Sequence, residues 1–171
     1  MTINFSDGTT IDSGGSLGKV LQTVSTAKTN TSTFSVTGGG TSGDIVTVSI
    51  TPSSSSNKIL IFASLTASKS DTGIFLKLFR DSTQIALGNS SGNRQRFSTH
   101  AAVTQNFLSG STTCVFLDEP SSTSSITYKI KAGHGHPSTQ TIAINKPESD
   151  GVNANQIGRG VSVITVQEVS G

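Results

Sequence analysis

Short segments of alternating apolar and polar residues recur along this chain, and turn residues separate them. Residues 44–51 show the alternation most clearly, because Val46, Val48 and Ile50 share one face of an extended strand. Further strand candidates, some alternating and some apolar on both faces, occupy residues 19–25, 33–37, 58–65, 73–80, 83–88, 97–107, 113–118, 126–131, 141–145 and 161–169. About ten short strands, spaced by roughly 8–15 residues, predict an all-β fold, an antiparallel β-sandwich or barrel.

The amino-acid composition argues against helical folds. Val, Ile and Thr account for 50 of the 171 residues, whereas Leu, Ala and Glu account for 21. Because β-branched side chains lose conformational freedom in helices and fit pleated sheets, this balance excludes a helical bundle and a doubly wound α/β fold. The length suits one domain.

Charge and cysteine content exclude further classes of protein. The net charge is +2 and charged residues make up 13% of the chain, too few and too dispersed for a nucleic-acid interface. Cys114 is the only cysteine and lies in an apolar run, so we expect a buried thiol and no internal disulfide. No apolar run approaches the roughly 18 residues of a transmembrane helix. Residues 1–8 lack the features of a signal peptide, so we expect no membrane insertion.

Three of the predicted strands, at residues 58–65, 73–80 and 113–118, are apolar on both faces. We therefore expect them at the centre of a sheet, with the second face covered by the other sheet, a loop or a neighbouring chain. Only 32% of the residues are apolar, so the hydrophobic core is small for a chain of this length. Uncharged sheet edges also promote aggregation unless they are covered. Both observations favour an oligomer.

Residues 1–18 are predicted to form an extended N-terminal arm, and residues 19–171 a β-sandwich domain. Gly and Asp recur along the arm, and its alternation of apolar and polar residues is weak. Its spaced apolar residues are suited to anchoring on a neighbouring molecule: Ile3, Phe5 and Ile11. The alternative is a disordered terminus without a partner.

Two histidines two residues apart, His134 and His136, form the most specific local motif. Side chains at positions i and i+2 of an extended strand point the same way, so the two imidazoles are candidate ligands for a transition metal. The alternative is a solvated loop, which the neighbouring Gly133, Gly135 and Pro137 favour. No other cofactor is expected.

Two long polar loops, at residues 89–96 and 146–160, are candidates for recognising a saccharide or a protein. Their candidate binding residues are Asn93, Arg94, Arg96, Asp150, Asn153 and Asn155. Plain connecting loops are the alternative interpretation.

The sequence contains no convincing catalytic motif. Residues Asp71-Thr72-Gly73 have the form of an aspartic-protease loop, but the chain has no second copy with which to share a proton. Asp118 and Glu119 lie beside a proline in a turn-like segment, which does not suit the carboxylate pair of a glycosidase. We therefore expect no enzymatic activity.

Several short sequence motifs, each covering a predicted strand or turn, resemble those of a known group of proteins. They are Gly18-Lys19-Val20-Leu21-Gln22, Val48-Ser49-Ile50-Thr51-Pro52, Asn57-Lys58-Ile59-Leu60-Ile61, Leu76-Lys77-Leu78-Phe79-Arg80-Asp81, Ser125-Ile126-Thr127-Tyr128-Lys129 and residues 158–169. In these motifs the chain resembles small virion structural proteins of tailed bacteriophages, and those of marine and cyanobacterial phages are the most similar. The resemblance extends from about residue 18 to 170.

The resemblance implies a jelly-roll β-sandwich of the C1q/TNF type that forms homotrimers on fibres, tail tips or capsid surfaces. The leading hypothesis is a virion structural protein that acts as a tail or fibre head in host attachment. Its partners would be other phage virion proteins and a host-surface glycan or protein. A capsid decoration (cement) protein anchored by its arm is the alternative, and a depolymerase-type enzyme is a remote one. In a trimer, three pairs of His134 and His136 would meet at the axis, a set suited to iron.

Overall fold

The computed structural model describes residues 18–69, 72–103, 106–151 and 158–171, together with the backbone of residues 3–4 and 10–11. All regular secondary structure in these ranges is β-strand. The strands are β1 (Ile3–Asn4), β2 (Thr10–Ile11), β3 (Val20–Lys28), β4 (Ser32–Val36), β5 (Val46–Ile50), β6 (Lys58–Ser68), β7 (Ile74–Arg80), β8 (Thr83–Ile85), β9 (Thr99–Ala101), β10 (Gly110–Asp118), β11 (Ile126–His134), β12 (Gln140–Ile144) and β13 (Ser162–Val169). Within the described ranges we find no helix that is long and apolar enough to cross a membrane.

The larger sheet, sheet I, is built around the eleven-residue strand β6. β10 pairs with one edge of β6, with Val115 opposite Phe62. β13 and β12 share the other edge of β6, and they pair in turn with β3 and β4. The order β3-β13-β6-β10 therefore places β3 and β10 at opposite edges of sheet I.

The smaller sheet, sheet II, has the order β5-β11-β7-β8. β9 follows β8 along the same edge of β7, so the loop that joins β8 to β9 leaves this edge and returns to it. Every strand pair in both sheets is antiparallel.

The strand order is that of a jelly roll. When β3, β5, β6, β7, β8, β10, β11 and β13 are numbered from one to eight along the chain, sheet I reads 1-8-3-6 and sheet II reads 2-7-4-5. Each sheet thus alternates between early and late segments of the chain, which closes the sandwich. The prediction of an all-β antiparallel sandwich is confirmed.

The core lies between the two sheets and is filled by alternate residues of their strands. Ile59 and Ile61 of β6 belong to the same buried cluster as Leu76 and Leu78 of β7. Burying a side chain of this size stabilises the fold by about 1.5–3 kcal/mol. The buried residues described for this cluster lie between Val36 and Val166, within the sandwich.

The connections give the sandwich two different ends. Turns at residues 51–57, 81–82 and 119–125 lie at one end, where the Ser170 backbone N–H donates to the Lys19 carbonyl at 3.0 Å. We call this the arm end, because the arm joins β3 here. The opposite, distal end carries the loops at residues 37–45 and 135–139 and the described residues 69, 72–73, 102–103 and 106–109.

β10 lies at the edge of sheet I, so the prediction that residues 113–118 form a central strand was wrong. Among the described residues, β10 pairs with β6 alone. Its two-sided apolar pattern has another cause: Cys114 and Phe116 pack against the core, whereas Val115 and Leu117 point outward and are exposed. The other two strands with this pattern, β6 and β7, are central as predicted.

The arm contains a small two-stranded sheet of its own. β1 and β2 pair antiparallel, with Ile3 opposite Ile11. This pairing was not anticipated from the sequence of residues 1–18, which indicated an extended segment. Phe5 and Asp71 lie outside the described residues.

Candidate functional site

The outer face of sheet I, which points away from the core, carries no acidic or basic side chain along the middle of β6 and its two neighbours. Directly opposite residues in an antiparallel pair share a face, so the register defines this surface. It comprises Leu60, Phe62 and Ser64 of β6, Leu117, Val115 and Thr113 of β10, and Gln167, Thr165 and Val163 of β13. A solvated face usually carries charged and polar residues at alternate positions, so this composition is typical of a face that another surface covers.

Three large apolar side chains on this face are exposed in the protomer. Val115 is 63% exposed, Leu117 46% and Phe62 41%. Phe62 and Val115 border a groove of about 250 Å³ that also contacts Val163 of β13. We call Leu60, Phe62, Val115 and Leu117 the apolar patch.

Loops cover the distal half of the same face. The Thr66 hydroxyl donates to the Val161 carbonyl at 3.0 Å, and the Ser68 hydroxyl donates to the Leu108 carbonyl at 2.6 Å. Thr66 and Ser68 are both buried as a result. The apolar patch is therefore confined to the half of the face that is nearer the arm end.

The free edge of β10 opens onto a slot of about 480 Å³ between this strand and the loop that joins β8 to β9. Leu87 and Phe97 line the slot from the loop, and Cys114, Val115 and Phe116 line it from β10. Cys114 and Val115 border both the slot and the groove, so the two depressions adjoin at β10. Cys114 is half-buried here rather than fully buried as expected, and burial raises the pKa of its thiol.

The outer face of sheet II is cationic and is partly covered by the residues that precede β5. The Asp44 carboxylate pairs with the ammonium groups of Lys129 at 3.4 Å and Lys131 at 3.1 Å. The Lys77 ammonium donates to the Gly40 carbonyl at 2.9 Å and is buried, which lowers the pKa of Lys77. The two sheets thus present chemically different outer faces, and the uncharged one is the more open.

The two histidines of the predicted metal motif are not both free to bind a metal. His134 is 1% exposed: its Nδ1 accepts the His136 backbone N–H at 3.1 Å, and its Nε2 donates to the Val36 carbonyl at 2.9 Å. His136 Nδ1 accepts the Ser138 backbone N–H at 3.2 Å. Within the described residues, no group of three or more His, Cys, Asp or Glu side chains is placed to hold a metal. The axial metal site stays a prediction, and this geometry does not favour it.

The arginines of the first predicted binding loop bond to residues of the connection between β8 and β9. The Arg94 guanidinium donates to the Ser91 hydroxyl at 2.7 Å, and the Arg96 guanidinium donates to the Gly88 carbonyl at 2.7 Å. Asn93 is exposed beside them. These contacts shape the loop and leave the amide of Asn93 at the surface.

Asp150 of the second predicted binding loop lies between β12 and β13 and is also paired. Its carboxylate contacts Arg159 at 2.5 Å and Lys146 at 3.5 Å, and the hydrogen bond from Arg159 lowers the pKa of Asp150. Asn153 and Asn155 lie outside the described residues. The partners of Asp150 belong to its own loop, so these contacts do not join the two predicted binding loops into one site.

The paired carboxylates considered for catalysis are engaged in structural contacts. Asp118 accepts hydrogen bonds from the Arg80 guanidinium at 3.0 Å and from the Tyr128 hydroxyl at 2.7 Å. Glu119 pairs with Lys58 at 2.7 Å on the surface. Both carboxylates are thus held by basic or hydroxyl partners, an arrangement that does not suit the acid pair of glycoside cleavage.

The apolar patch is not among the functional residues predicted from the sequence. The two-sided apolar pattern of residues 113–118 predicts a central strand instead. Only the register, which sets Val115 opposite Phe62 at a sheet edge, shows that the second face is open in the protomer.

Comparisons with known proteins give the chain no family. No family model matches it, and no curated protein sequence matches it. One similar solved structure is that of the infectious bursal disease virus Gx strain, with a TM-score of 0.41 and 12% identity over 86% of this chain. Another is that of the VP2 subviral particle of infectious bursal disease virus, with a TM-score of 0.40 and 12% identity over 88% of this chain. The chain spans 38% and 39% of the length of those two chains. The assignment of the fold therefore rests on the strand order described above.

Proposed function

We propose that this protein is a non-enzymatic structural subunit of a bacteriophage virion and that it assembles as a homotrimer through the apolar patch. The observation that carries the proposal is the exposure of Phe62, Val115 and Leu117 together on an uncharged sheet face. Contiguous exposed apolar surface of this kind marks interaction sites. The similarity of its short strand motifs to those of small phage virion proteins supports a role in the virion.

The two ends of the sandwich suit two tasks in such a particle. The arm joins the sandwich at one end, and the loops at residues 37–45 and 135–139 lie at the other. A subunit that attaches to the particle at its arm end would present the distal loops outward, where they would contact a host-surface glycan or protein. We therefore propose a tail or fibre head as the specific role, with a capsid decoration protein as the alternative.

Light scattering combined with size-exclusion chromatography tests the homotrimer. The unmodified chain is expected to have the mass of three copies, and Val115→Lys should shift it toward one copy, because a charge would be buried in the apolar interface. Ser49→Lys is the matched control, since Ser49 is an exposed strand residue of sheet II. A monomeric unmodified chain at tens of micromolar would contradict the proposal.

Binding experiments on the purified chain separate the roles. Binding to a host-surface glycan or protein supports the tail or fibre head, and binding to empty capsids supports the decoration protein. Turnover of a capsular polysaccharide that disappears when a carboxylate is replaced would overturn the non-enzymatic proposal.

A further inference from the structure

The outer edge of β10 lacks the features that usually protect a free sheet edge. Residues 113–117 contain no charged side chain and no proline, and their pairing with β6 shows no bulge. The backbone of this edge is therefore suited to pairing with one more strand. The slot beside it, lined by Leu87, Phe97 and Phe116, would receive the side chains of that strand.

We propose that the arm of a neighbouring copy adds to this edge as a β-strand and inserts Ile3 and Phe5 into the slot. The inference rests on the homotrimer of the proposed function and identifies the segment that links its subunits. Residues two apart on a strand point to the same side, so Ile3 and Phe5 can enter one slot while Asn4 faces away.

The chemistry of the arm matches that of the slot. Residues 1–6 contain no charged side chain and alternate apolar with polar residues from Thr2 to Ser6. β1, at Ile3–Asn4, already has strand geometry. The side chains that line the slot are mostly apolar, so both partners would lose little hydration of polar groups on contact.

The position of the arm is compatible with reaching a neighbouring copy. The arm is continuous with β3, which lies at the opposite edge of sheet I from β10, three strand spacings or about 14 Å away. In a cyclic trimer one surface of each subunit meets a different surface of the next, so these opposite edges are suited to facing each other. Exchange of the arm requires the pairing of β1 with β2 to open, and seventeen extended residues then span up to about 55 Å, enough to cross such an interface.

Disulfide trapping tests the proposal, because Cys114 is the only cysteine and lines the slot. A chain carrying Phe5→Cys and Cys114→Ser is co-produced with the unmodified chain, so a disulfide can form only between two copies. Mild oxidation is expected to yield a linked dimer on a non-reducing gel, with positions 5 and 114 joined in the mass spectrum. Ser6→Cys, in the same Cys114→Ser background, is the control, because position 6 faces away from the slot. We expect it to link at least tenfold more slowly.

The outcomes distinguish this inference from the proposed function. Equal linking rates at positions 5 and 6, or no link in a protein that keeps the mass of a trimer, would overturn arm exchange and leave the trimer standing. A monomeric protein would remove both. As a second measurement, removal of residues 1–17 should raise the rate at which maleimide modifies Cys114 by about fivefold or more. An unchanged rate would show that the arm does not cover the slot.

Discussion

Glu168 shows how a single buried residue fixes the arm end of the sandwich. It is 1% exposed on the inner face of β13, and its carboxylate accepts hydrogen bonds from the Asn57 amide at 2.5 Å and from the Gln22 amide at 2.6 Å. The Ser53 backbone N–H donates to the same carboxylate at 2.6 Å. Burial alone would raise the pKa of Glu168, but the bonds from Asn57, Gln22 and Ser53 lower it to about 2.

Glu168→Gln is expected to lower the free energy of unfolding at pH 7 by about 1.5–3 kcal/mol, the scale of hydrogen bonds to a charged group. The folded-state pKa lies below the ordinary value of 4.5, so the contribution of the carboxylate is complete above about pH 4.5 and is lost as the pH falls toward 2. Urea unfolding at pH 7 and at pH 3 measures both, and the difference between variant and parent should shrink at pH 3. Glu119→Gln, which removes a surface pair, is the control and should cost less than about 1 kcal/mol. Equal stability of Glu168→Gln and the parent at pH 7 would contradict the argument.

At the scale of elements, a buried polar link ties the edge strand β10 to sheet II. Asp118 at the end of β10 accepts hydrogen bonds from Arg80 of β7 and Tyr128 of β11. Tyr128 is fully buried, and burial together with the hydrogen bond to Asp118 raises the pKa of its hydroxyl well above the usual range. These hydrogen bonds attach the arm end of β10 to sheet II. Among the described residues, the backbone of β10 pairs only with β6.

Tyr128→Phe should therefore loosen β10 more than the rest of sheet I. We expect a loss of about 1.5–3 kcal/mol in the free energy of unfolding, because the Asp118 carboxylate stays buried with one fewer donor. Hydrogen exchange should accelerate at the β10 amides before it does at those of β13. Thr127→Val is the control: the Thr127 hydroxyl lies within 2.9 Å of the Ser49 hydroxyl at the surface, and its loss should cost less than about 0.5 kcal/mol. Uniform acceleration across both strands would show that Asp118 does not hold β10 specifically.

The same scale explains what could be predicted from the sequence. Alternation within one segment is a local property, so the strand at Val46–Ile50 and the hairpin of β7 and β8 were recognised. The edge position of β10 depends on pairing with a distant strand, which no local pattern encodes. His134 was singled out as a metal ligand because burial and the Val36 carbonyl cannot be seen in a motif of two histidines. Glu168 was not singled out, since its donors come from Gln22 and the distant turn at residues 51–57.

At the scale of the whole molecule, the two edges of sheet I carry different surfaces for assembly. The apolar patch lies beside β10, and the arm extends from the side of β3. The apolar patch is formed by residues of β6 and β10 and includes no residue of the arm. In the assembly we propose, the sandwich forms the trimer and the exchanged arms strengthen it.

Removal of residues 1–17 is therefore expected to leave a trimer that dissociates more easily. Light scattering at tens of micromolar should still give the mass of three copies, since the patch remains intact. Sedimentation at falling concentration should show dissociation at a concentration at least tenfold higher than for the full chain, because each lost strand removes backbone hydrogen bonds and the burial of Ile3 and Phe5. The change Ile3→Ser with Phe5→Ser, which keeps the arm, should reproduce most of this shift, whereas Thr9→Ser should not. A truncated chain that is monomeric at every concentration would place trimerisation in the arm and remove the apolar patch from that role.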